Sequence, residues 1–149
     1  MLDIVDSCSL LWRLELEGVN VGDRWPALPS FDSHLHDHVL AFNDIHMGFA
    51  MKRAGHAAHT STLRDSMSNF ITTGDGNNRR ITEEVGLHLL DGMLAFADEQ
   101  YDKAVDLIFP VRKQIYSIGG SHAQNDVFVQ TLLQACLKSD NQNNKESAK

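Results

Sequence analysis

The stretch SHLHDHVLAFNDIH, residues 33–46, holds His34, His36, His38 and His46, half of the chain's eight histidines, together with Asp37 and Asp44. Imidazole and carboxylate are the side chains that hold transition metals and move protons near neutral pH. If the segment is helical, His34 and His38 stand at i, i+4 and share a face, the spacing of zinc-binding helices. Asp37, Asp44 and His46 could then add ligands or orient the rings. One functional reading is therefore a His-rich metal-binding protein, or a metal-dependent enzyme, centred on a helix at 34–46 with His34, His38, Asp44 and His46 as candidates. Two features weigh against it. Hydrolases with a His-x-His pair place it on a strand, and no strand pattern precedes this one. No distant segment offers a third ligand. A structural or surface role is preferred, with pH sensing as a lesser reading, and no cofactor is expected.

Asn43 and Asp44 are mediocre helix formers in what looks like mid-helix. Their presence predicts a specific hydrogen bond, tying this helix to the connector that carries Arg24 and Trp25. A buried Asp44–Arg24 pair would specify register more than add stability. Trp25, beside Pro26 and Pro29, reads as a hydrophobic plug. Asp91, Glu99, Asp102 and Asp106 read as a solvated face, without the paired carboxylates across a cleft that glycosidases need. Ser7, Ser121 and Cys8 lack a nucleophile elbow. Cys8 lies on an apolar stripe and should be an inert thiol.

Apolar residues recur at helical spacing almost throughout, and period-two alternation is absent. The spacing predicts a first helix over 3–17, with Ile4, Cys8 and Leu11 in line, and Leu10, Trp12 and Leu14 off it. A second is predicted over 30–54, carrying Leu35, Val39, Phe42, His46 and Phe49. A third runs near 60–72, followed by a loop at GDGNNRR. Thr82 reads as the N-cap of a fourth helix, with Glu83 and Glu84 in its first turn. A fifth spans Ala104 to Ile118 with a kink at Pro110. Gly119-Gly120 ends it, and Ser121-x-x-Gln124 is a capping box opening the sixth. That box would occupy amides that could otherwise hold an anion. Residues 1–138 read as one helical-hairpin domain, and 139–149, SDNQNNKESAK, as a disordered polar tail.

Thirteen Lys and Arg against twenty Asp and Glu give a formal charge of -7, which disfavours nucleic acid and anionic membrane surfaces as partners. No apolar run approaches a membrane span, and the acidic start does not resemble a signal peptide. Two cysteines without CxxC spacing form no metal or disulfide framework. A cytoplasmic location is the expectation.

Six helices in antiparallel pairs leave a bundle or a stack of hairpins. Gly92, Ala95, Tyr101, Ala104, Ile108 and Val111 occupy the small, small, aromatic, small, bulky and bulky places of a tetratricopeptide (TPR) repeat. Four further strings, DSCSLLWRLELEGVNVGDRW, DHVLAFNDIH, VGLHLLDGMLAFADEQYDKAVDLIFPVR and SIGGSHAQNDVF, resemble in order and spacing the tetratricopeptide repeat protein 38 family. The likeness covers most of residues 3–137 and corresponds to the C-terminal part of the longer family chains. It implies an all-α, TPR-like solenoid of stacked antiparallel hairpins, cytoplasmic, with no established reaction and no catalytic motif to carry over. The functional expectation is a non-catalytic protein-interaction or scaffold module with a protein or peptide partner. Since the first helix is apolar on more than one side, a homodimer through it, or an adhesive monomer, is also expected.

Overall fold

Helix α1 (Leu2–Leu16) opens the chain in this computed structural model, which describes residues 2–147. Val5, Cys8, Leu11, Trp12 and Leu16 are buried, three and four residues apart, so they form a single stripe. Gly18 stops the helix in the left-handed region at φ +79°. Its N–H donates to the Glu15 carbonyl at 2.9 Å and the Val19 N–H reaches the Leu14 carbonyl at 2.9 Å, the paired bonds of a Schellman ending.

Residues 17–40 form an irregular connector with two single 3-10 turns, Gly22–Arg24 and Asp32–His34. The helix expected to begin near residue 30 begins only at Ala41. Leu40 before it is extended, at φ -141° and ψ 132°, and His38 is left-handed at φ +44°. Leu35, Val39 and Phe42 had the spacing of a helical stripe, yet Val39 is 69% exposed while Leu35 and Phe42 are buried. The i, i+4 relation of His34 and His38 therefore does not place them on one helix face.

Helix α2 (Ala41–Arg53) is buried on nearly every side, from Ala41 through Met51, as a central helix must be. It packs against α1, against α3 (Ala57–Thr73) and against α5 (Leu87–Ala97). The stretch read as a loop is helical: α4 (Gly76–Ile81) runs through a π-helical segment, Thr82–Gly86, into α5. Thr82 is thus interior to a continuing helix and not its N-cap. Arg79–Glu83 at 2.8 Å and Arg80–Glu84 at 3.4 Å are i, i+4 ion pairs bridging the junction, and they favour helix where Asn77 and Asn78 argued for a turn.

Helix α6 (Tyr101–Ile108) folds back on α5. Pro110 ends it instead of kinking it: the chain continues as 3-10 turns at Phe109–Val111 and Ile115–Ile118, because proline has no N–H to give. Helix α7 (His122–Lys138) carries the capping box, with both Ser121–Gln124 bonds formed. Of the residues expected as a disordered tail, Gln142–Ser147 form the short α8. Ser139 is buried, its hydroxyl donating to Asp102; residues 148 and 149 lie outside the described residues.

The fold is all-helical, with no strand among the described residues. α1 lies on α2 and α7. Its Trp12 ring sits 4.7 Å from that of Phe49 in α2 and 5.8 Å from Phe96 in α5. The indole N–H donates to Thr131 Oγ1 in α7 at 2.8 Å. One side chain thereby joins four helices.

Candidate functional site

His38 is the most connected of the clustered histidines. Its positive φ is held from outside: the Asn78 amide on α4 donates to the His38 carbonyl, and the Asn78 side-chain oxygen accepts the Ala41 N–H at 3.2 Å. Asn78 so brackets the left-handed residue and the first turn of α2. Phe70 of α3 stacks on the imidazole at 5.1 Å. Ring Nδ1 faces Asp44 Oδ2 at 3.2 Å, and Nε2 faces Ser66 Oγ on α3 at 2.7 Å. His36 Nδ1 also meets Ser66 Oγ at 2.7 Å.

The donor inventory allows a consistent direction along this chain. His36 donates from Nδ1 to Ser66 Oγ, Ser66 donates its O–H to His38 Nε2, and His38 donates from Nδ1 to Asp44 Oδ2. Asp44 and His38 are buried, and Ser66 is half-buried. Burial raises the Asp44 pKa above its usual 3.8, and the His38 hydrogen bond pulls it back. The result is a serine–histidine–aspartate chain running from a half-exposed hydroxyl to a buried carboxylate.

The other candidates go elsewhere. His34 pairs with Asp37 at 2.6 Å on the exposed connector. His46 points into the core among Phe42, Phe49 and Phe128. Its Nδ1–H donates to the Phe42 carbonyl at 2.7 Å, and its buried Nε2 has no partner. Desolvation lowers its pKa to about 4, so it is a neutral ring in an apolar cage. His34, His38, Asp44 and His46 are not brought together, and no group of three or more His, Cys, Asp or Glu among the described residues is placed to hold a metal ion.

The expected Asp44–Arg24 pair does not form. Arg24 donates to the Val21 carbonyl at 2.8 Å, and Asp44 takes His38, which the left-handed backbone swings inward. Trp25 is buried, its ring edge-on to Phe49 at 6.3 Å, and its indole N–H donates to Glu15 at 3.0 Å. Arg53 clamps the same carboxylate with bonds of 2.8 and 2.7 Å. Asn43 and Asp44 line a cavity of about 250 Å³ with Val39 and Met47, and Asn43 Oδ1 is buried without a partner. Tyr101 packs edge-on to Phe96 at 5.4 Å and Ala104 is fully buried. Gln124, besides capping, donates to Asp6 of α1 at 2.9 Å.

Ser66 is the participant that sequence reasoning missed. It sits 28 residues from His38, in a helix whose visible pattern is Leu63, Met67 and Phe70, and no spacing links the two. Cys8 is fully buried, with its thiol pushed up to about 12 by desolvation.

No protein-family model matches the chain, and no solved structure matches it.

Proposed function

We propose that the chain is a TPR-like helical-hairpin module of the cytoplasm, akin to the tetratricopeptide repeat protein 38 family, that serves as a protein-interaction or scaffold element. The α5–α6 hairpin supports the TPR-like reading. A Cβ added at Gly92 would lie 2.4 Å from Ile108 Cγ1, so the two helices meet as closely as the small-residue pattern requires. Tyr101 fills the corner beside the turn.

The observation that carries the interaction reading is on α7. Val129, Leu133 and Leu137 stand at i, i+4 and i+8 and are 40, 43 and 54% exposed. A continuous apolar stripe left open on a long helix is what an amphipathic partner helix covers. The opposite side of α7 is already covered by α1 through Trp12, so the stripe is the face that remains. A second copy docking through α1 would find Leu10 as its apolar contact, since Leu11 and Trp12 are buried.

A photo-crosslinking residue placed at Leu133, at Leu10 or at the exposed Ser61 of α3 tests this in cell extract. A protein of discrete mass should be trapped from position 133, lost on adding Leu137→Asp, and absent from position 61. No adduct from position 133, or the same adducts from all three, would overturn the reading. Adducts from position 10 at twice the chain mass would identify the partner as a second copy.

A further inference from the structure

We propose that Ser66 is a nucleophile towards small activated esters, with His38 as its general base and Asp44 positioning the ring. This goes beyond an interaction role, and it rests on the side-chain chain around His38 and not on the resemblance or the α7 stripe. Three observations combine. Ser66 Oγ lies 2.7 Å from His38 Nε2, inside the reach a general base needs. The other ring nitrogen is 3.2 Å from a carboxylate that is 1% exposed, the arrangement that fixes which nitrogen carries the proton and stabilises the imidazolium. His38 also occupies a backbone region that non-glycine residues seldom enter, φ +44°, pinned there by Asn78 and Phe70. Strain maintained by several neighbours is typical of residues whose position matters for chemistry.

The step balances without a cofactor. Ser66 Oγ attacks the acyl carbon, its proton passes to His38 Nε2, and the bond from the acyl carbon to the leaving oxygen breaks as His38 returns that proton. Water then attacks the acyl carbon, giving its proton to His38, and the bond from the acyl carbon to Ser66 Oγ breaks as His38 returns that proton to Oγ, releasing the carboxylic acid. His36 Nδ1–H, 2.7 Å from Ser66 Oγ, is the donor nearest the developing oxyanion. Backbone amides cannot serve there: Ser66 lies inside α3, where the N–H groups are committed to carbonyls one turn back. Acylation should accordingly be slow, because an oxyanion hole supplies much of the rate in such sites. The readout to seek is a covalent adduct rather than turnover.

The full chain is incubated with a fluorophosphonate, which transfers its phosphonyl group to Oγ and releases fluoride, and the adduct is followed by intact mass and peptide mapping. One adduct per chain, on Ser66, is expected. Ser66→Ala should abolish it, and His38→Gln should slow it about 100-fold, the scale of a lost general base. Asp44→Asn, whose amide can hold the wrong tautomer, should slow labelling in a chain that stays folded, and Asp44→Glu, which keeps the carboxylate, should recover part of the rate, which a purely structural role would not do. Every chain must first show a helical far-UV spectrum. A folded native chain that gives no adduct on Ser66 sinks the proposal, and so does a folded His38→Gln labelled at the native rate.

Discussion

His46 carries no charge because its surroundings hold nothing to solvate one. Its ring is 0% exposed, and desolvation takes its pKa from the ordinary 6.5 down to about 4. Between those values the unfolded chain binds a proton that the folded chain refuses, so stability is full above 6.5 and is lost as the pH falls towards 4. The loss should reach roughly 3 kcal/mol. Asp44 has the opposite sign. Burial favours its neutral form, so that contribution is present in acid and is lost as the pH rises through its folded pKa. Urea midpoints at pH 7 and pH 5 should differ clearly in the native chain and much less in His46→Leu; equal differences would mean another group supplies the acid sensitivity. Gly92 makes a steric counterpart. A methyl there meets Ile108 Cγ1 at 2.4 Å, on a β-branched side chain with little rotamer freedom. Gly92→Ala should therefore lower stability by about 1–3 kcal/mol, although alanine is the better helix former by about 1 kcal/mol. A rise in melting temperature would show that the hairpin opens without strain. Because His34, His38 and His46 have separate partners, a chelator should leave the melting temperature unchanged, and a fall reversed by zinc would restore the metal reading.

At the scale of elements, what could be read in advance depended on whether the cause was local. The α1 stripe and the capping box of α7 are legible because spacing and short-range bonds produce them. Ser121→Ala should cost about 1 kcal/mol and Ser121→Gly a few tenths; calorimetry would measure both, and a Ser121→Ala chain as stable as the native one would mean that the Ser121 hydroxyl contributes nothing as a cap. The start of α2 was not legible, because its cause lies on α4: Asn78 holds His38 left-handed and caps Ala41. The same remote origin hid Ser66, which only the approach of α3 to the connector brings to His38. Thr82 misled for the converse reason. A threonine before two glutamates imitates a cap, and the i, i+4 pairs that keep the helix going begin upstream at Arg79 and Arg80. Pro110 reads in the sequence as a kink within one helix, yet it ends α6, since the following residues turn in 3-10 fashion rather than resume an α-helix.

For the whole molecule, the question is whether α1 is a detachable cover or part of one cooperative core. The connector behind it has only three-residue turns, which would let it swing. Its anchors argue for cooperation. Trp12 reaches Phe49, Phe96 and Thr131, and Arg13 donates to the Ala123 carbonyl at 2.8 Å. Glu15 is shared between Trp25 and Arg53. Removing α1 would expose rings on two other helices, and burying such a side chain stabilises by roughly 1.5–3 kcal/mol. Several of them amount to a sizeable share of a domain's net stability, commonly about 5–15 kcal/mol. The two cysteines report on this directly, because Cys8 lies in α1 and Cys136 in α7, both buried and unpaired. In the folded chain neither should react readily with a thiol reagent, since burial disfavours both thiolates. With increasing denaturant the two should become reactive together, with one free energy of opening. Cys8 reacting first, well below the main transition, would show that α1 lifts alone and uncovers the face of α2, α5 and α7 for a partner.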